Sequence, residues 1–124
     1  HKYKNYSSAI EFVITNEEGK KIYVVGTIGM NNEERIISIK NHDVDMAISD
    51  NMIYLGNEDV PGVIGAVGAT LGRGNINIAT MNVGRRENSA IMLLTVDSEV
   101  GRRALKELRE LSQIKWAHYL DLTI

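Results

Sequence analysis

The only proline of the 124 residues, Pro61, is followed at once by Gly62, and the pair separates two patterns of different period. Before it, residues 52–55 (Met-Ile-Tyr-Leu) are apolar throughout and read as a strand. After it, Val63, Ile64, Val67 and Leu71 recur at helical spacing. Proline lacks a backbone N–H, so it is well placed in the first turn of a helix, where that donor has no partner. The helix is expected over residues 62–73. It meets a glycine stop at Gly72-Arg73-Gly74, and a new strand begins at Ile76. A strand, a turn, a helix N-terminus and a returning strand bring uncommitted N–H groups and strand ends together. That arrangement suits a small anionic or zwitterionic ligand.

The rest of the second half continues the alternation. Ile76 and Ile78 hold one phase, whereas Ala79, Met81 and Val83 hold the other, which predicts a β-bulge between Ile78 and Ala79. Residues 85–88 form a charged hairpin turn. Residues 90–96 are apolar on both faces and belong at the centre of a sheet. Asp97-Ser98 offers an N-cap to a helix over residues 100–111. In the last strand Ile114, Trp116, Leu120, Leu122 and Ile124 alternate with Lys115, Ala117, Tyr119, Asp121 and Thr123. A strand such as this last one, buried on one face only, fits an antiparallel sheet with both helices on a single side. The expectation for residues 51–124 is therefore an α+β, ferredoxin-like βαββαβ unit.

Residues 1–50 show no helical period. Ile10 to Ile14, Lys21 to Ile28, Arg35 to Ile39 and Val44 to Ile48 read as strands, with turns at residues 16–19, 29–32 and 41–43. Fifty residues of hairpins with few large side chains make a poor independent domain. They either pack on the second half or are the remainder of a larger domain. His1-Lys2-Tyr3-Lys4 lacks a natural start, so the chain reads as a piece of a longer protein.

Charge and composition narrow the partners. A net charge of −2 points to neither nucleic acid nor an anionic membrane. No apolar run reaches the roughly 18 residues of a membrane span. There is no cysteine for a disulfide, a thiolate metal site or a thiol nucleophile, which fits a reducing cytoplasm.

The titratable residues form no catalytic set. His1, His42 and His118 are scattered, and His118 reads as a core or sheet-edge residue. Asp43 and Asp45, two apart on a strand, read as a solvated face. Gly62, Gly65, Gly68, Gly72 and Gly74 do not match the G-x-G-x-x-G spacing of a dinucleotide loop, and the strand returns antiparallel. Close helix packing and a C-terminal stop account for most of these glycines. The turn is more informative. Asp59 either caps the helix or faces a ligand. In the second case its carboxylate pairs with an ammonium group, and the N–H groups near Gly62, Val63 and Ile64 take a carboxylate. Asn77, a polar side chain at an apolar strand start, is expected where the fold returns beside the turn and serves either end of the ligand.

At these residues the chain resembles a known family. Leu55-x-Asn57-x-Asp59-x-Pro61-Gly62-Val63-Ile64, followed by Leu71-Gly72-x-Gly74-x-Ile76-Asn77-Ile78-Ala79-x-Met81-x-Val83-Gly84-Arg85, resembles an ACT domain. More narrowly, it is similar to the C-terminal regulatory region of the D-3-phosphoglycerate dehydrogenases. Val25-Gly26-Thr27, Arg35-Ile36-x-x-Ile39 and Val44-Asp45 look like the end of the allosteric substrate-binding (ASB) domain of their longer forms.

The resemblance implies an ASB remnant over residues 1–50 and an ACT domain over residues 51–124. It implies a homodimer through ACT sheet edges that binds L-serine, or another amino acid, as a feedback inhibitor. Asp59 and Asn77 fall on serine-binding positions, and Asn57 falls on a third where relatives carry histidine or tyrosine. Val60, Gly62, Val63 and Ile64 complete the expected ligand-binding set, with no catalytic or metal site. No cofactor is expected in this stretch, NAD belonging to the parent dehydrogenase. Two other readings share the pattern: the ACT-bearing regulatory part of an iron–sulfur L-serine dehydratase, and a dimerisation module without a ligand.

Overall fold

The computed structural model describes residues 10–15, 18–28, 34–40, 42–86 and 89–121. Two compact units divide the chain, His1–Ile48 and Ser49–Ile124.

The first unit is a meander of four antiparallel strands, β1 (Ile10–Thr15), β2 (Lys21–Ile28), β3 (Glu34–Ile39) and β4 (His42–Ala47), hydrogen-bonded in chain order. Gly19 supplies the left-handed φ of +79° in the first turn. The second expected turn, residues 29–32, lies outside the described residues. The third is tighter than expected: Lys40 takes φ +46°, and β4 begins at His42 rather than Val44. Ile22 and Val24 of β2, and Val44 and Met46 of β4, are buried at the strand period of two, whereas Ile36, Ile37, Ser38 and Ile39 of β3 are all buried. Asp45 forms an ion pair with Arg35.

The second unit runs β5 (Asn51–Glu58), α1 (Val63–Arg73), β6 (Ile78–Arg86), β7 (Ser89–Val96), α2 (Arg102–Glu110) and β8 (Ile114–Asp121). Its sheet has the order β6-β7-β5-β8 with every neighbour antiparallel. This is the ferredoxin-like βαββαβ arrangement. β7, apolar on both faces, is central as its composition requires. Both helices lie on one face of the sheet. Ile53 and Leu55 of β5, Met92 and Leu94 of β7, Val67 and Leu71 of α1, and Leu105 and Leu108 of α2 share one buried cluster.

Two registers decide which side chains enter that core. The bulge expected after Ile78 is present: the β6–β7 register shifts between Ile78 and Thr80, so Ala79 is the extra residue and Ile78 and Met81 both pack on the helix side. A second shift, between Gly56 and Asn57 of β5, was not legible. It puts one extra residue of β8, Lys115, opposite that step. As a result Ile114, Ala117 and Tyr119 join the helix-side core. Trp116, His118 and Leu120 hold the opposite phase, which corrects the simple alternation that placed Ile114 with Trp116 and Leu120. On that opposite face the Trp116 ring meets Tyr54 edge-on at 4.8 Å and stacks on His118 at 5.5 Å.

The helix ends also depart from expectation. α2 starts at Arg102 behind Gly101, four residues after Ser98, and no side chain caps it. α1 ends in a Schellman motif: Ile76 N donates to Leu71 O and Asn75 N to Gly72 O, both at 3.0 Å. The left-handed residue there is Asn75, with φ +59°, while Gly74 is right-handed. Gly65, Gly68 and Gly72 are not packed against other backbone. A Cβ built on any of them meets nothing within 4 Å. The helix is held instead by Val63, Val67, Thr70 and Leu71 on its buried side.

Candidate ligand-binding site

Pro61 and Gly62 make the turn that opens α1. Gly62 has φ +90° and ψ −9°, the third-residue geometry of a type II turn that follows proline. The first backbone bond of the helix runs from Ala66 N to Gly62 O at 3.0 Å. The N–H groups of Val63, Ile64 and Gly65 therefore lie outside the ladder, and no side chain caps them. Asp59 does not fill that role. Arg85, at the far end of β6, donates from Nε to both Asp59 oxygens, each at 3.1 Å. Val60 and Ile64, on either side of the Pro61-Gly62 turn, are exposed, while Val63 is buried in the core.

Asn57 is the last residue of β5 on the helix side and is 3% exposed. Its Nδ2 donates to Glu58 O at 2.8 Å. Its Oδ1 is buried with no partner among the described residues. A buried carbonyl oxygen without a donor costs roughly 1–3 kcal/mol.

Asn77 is elsewhere. Its Nδ2 donates to Asp97 Oδ2 at 2.6 Å, and Asp97 N donates to Asn77 O at 3.1 Å. Along β7, Asn57 stands opposite Ala90 and Ile78 opposite Val96. Six residues of strand separate the two levels, about 20 Å at the usual rise. Within one copy, then, Asn57, Asp59 and the α1 N-terminus come together, and Asn77 does not join them. The physical reason is that α1 runs antiparallel to both strands it connects, so β6 starts at the opposite end from where β5 stops. Arg85 and Asp97 carried no local signal for their partners, which lie 26 and 20 residues away in sequence.

Residues 51–113 match the ACT domain family. The chain belongs to that family. Over 123 residues it is 39% identical to the D-3-phosphoglycerate dehydrogenase of Archaeoglobus fulgidus, covering 96% of this chain and 23% of that enzyme. The match to the Bacillus subtilis D-3-phosphoglycerate dehydrogenase is 40% over 91 residues, 72% of this chain and 17% of the enzyme. The match to the Methanocaldococcus jannaschii enzyme is 33% over 121 residues, 96% and 23%. The ACT domain and the strands before it thus span less than a quarter of these relatives. Among the described residues no helix is long and apolar enough to cross a membrane.

Proposed function

We propose that this chain is part of the regulatory region of a cytoplasmic D-3-phosphoglycerate dehydrogenase and binds L-serine between two ACT domains for feedback inhibition. The relatives named above support the parent. In this reading residues 1–50 are the C-terminal part of an ASB domain, and NAD and hydride transfer belong to the parent enzyme.

The observation that carries the reading is the separation of Asp59 from Asn77. β6 is an edge strand, with unpaired backbone groups along one side. If two β6 edges pair antiparallel about a two-fold axis, the start of one strand lies beside the end of the other. The partner's Asn77 then reaches the neighbourhood of Asp59, Asn57 and the α1 N-terminus, and each dimer holds two such sites. The ammonium of serine pairs with Asp59, and its carboxylate lies near the N–H groups of Gly62, Val63 and Ile64. A ligand that needs both copies favours the paired arrangement, which is the coupling an inhibitor requires.

Subunit complementation tests this. Asp59→Ala and Asn77→Ala each abolish L-serine binding by calorimetry. Mixing and refolding the two variants restores part of it, because the mixed dimer has one site with both residues intact. No heat with the unmutated chain sinks the ligand, and no recovery on mixing sinks the shared site.

A further inference from the structure

Resting on that reading, we infer that Arg85 is the residue that makes the site select zwitterionic α-amino acids, by anchoring the carboxylate of the ligand whose ammonium pairs with Asp59. Three observations carry it. Arg85 contacts Asp59 through Nε alone, at 3.1 Å to each oxygen, so both terminal nitrogens of the guanidinium are uncommitted. Its side chain is 67% exposed, so those nitrogens are open to an arriving ligand. The Asp59 side chain is 38% exposed, so part of its acceptor capacity also faces solvent.

The charges decide between competitor and anchor. An ammonium placed on Asp59 alone meets the Arg85 cation close by, and a plain amine is repelled. A zwitterion places its carboxylate on that cation, and the four charges alternate in sign. The Asp59–Arg85 pair is neutral as a unit and complements a neutral ligand with separated charges, just as one arginine fork complements a carboxylate. The N–H groups at the start of α1 reinforce the carboxylate end.

The test compares L-serine with L-serinamide, which keeps the ammonium and hydroxymethyl groups and loses the carboxylate. Both are titrated into the unmutated chain, Arg85→Gln and Arg85→Lys. The expected result is that Arg85→Gln weakens L-serine at least tenfold, leaves serinamide unchanged or tighter, and so erases the preference between them. Arg85→Lys keeps the charge and retains part of the preference. If Arg85→Gln binds L-serine as well as or better than the unmutated chain, Arg85 is a competitor for Asp59 and the inference falls. Equal losses for both ligands also overturn it, because Arg85 then only holds Asp59 in place. A failure of the unmutated chain to bind L-serine defeats the proposed function itself and this inference with it, an outcome distinct from the other two.

Discussion

Gly56 shows how much one missing methyl group decides. Its backbone is not in the left-handed region, so conformational freedom does not explain the glycine. A Cβ there would overlap the Trp116 indole, coming within 2.6 Å of Nε1. Gly56 pairs directly with Trp116 across the β5–β8 ladder, and the ring lies over the space a side chain would need. The ring in turn meets Tyr54, whose buried hydroxyl has no partner among the described residues and whose pKa burial pushes well above its ordinary 10.0. Gly56→Ala forces the indole out of this packing. It is expected to lower stability by about 1–3 kcal/mol, read by urea unfolding with Trp116, the sole tryptophan, as the fluorescent reporter. An unchanged midpoint would mean the ring moves aside without cost. The residue-scale signal for this contact was weak: a glycine in an apolar strand marks a close approach, but not what approaches.

At the scale of elements, α1 is the least self-sufficient piece. Glycine at three interior positions costs up to about 1 kcal/mol each relative to alanine. Gly65, Gly68 and Gly72 recover none of that within the chain, since each has open space where a Cβ would go. Gly65→Ala, Gly68→Ala and Gly72→Ala are each expected to raise stability by up to about 1 kcal/mol, measured as a higher urea midpoint. A loss instead would mean the glycines are needed for a contact the single chain does not make. Spacing alone gave the helical stripe at Val63, Val67 and Leu71, but Ile64, expected in it, is exposed, and Thr70, outside it, is buried. The C-terminal geometry of the helix was not readable: Gly74 was the natural candidate for the left-handed residue, yet Asn75 takes it. Ile76 must turn back to cover Leu71 in the core, and the Schellman bonds place the left-handed residue immediately before it. The α2 start shows the same limit. Asp97-Ser98 is a good cap by composition, but Asp97 is engaged with Asn77 and the helix begins behind Gly101.

For the whole molecule the question is what happens at the β6 edge. Val83 is among the exposed large apolar residues and sits on that edge strand. A lysine on an exposed edge opposes strand addition by burying a charge in the new interface. If L-serine binds between two paired β6 edges as proposed, Val83→Lys is expected to shift the chain from dimer toward monomer in sedimentation equilibrium and to reduce L-serine binding in parallel. A monomeric variant that still binds L-serine at full affinity would place the whole site within one copy.

Period and punctuation alone determined the fold of the second unit. Alternation, two helical stripes, a phase flip at Ile78 and one Pro-Gly pair prescribe βαββαβ, because each is a local property of consecutive residues. The same local grammar marked Asp59 and Asn77, and the resemblance to ACT domains added Asn57. Only the tertiary structure decided how they relate. Which β8 side chains enter the core depends on a register shift at Gly56, set by packing between strands some 60 residues apart. That Arg85 holds Asp59, that Asp97 holds Asn77, and that the two pairs stand at opposite ends of the sheet follow from the antiparallel path of α1 between β5 and β6. Such contacts leave no periodic trace in a sequence, since the distance that creates them exists only after the chain has turned back on itself.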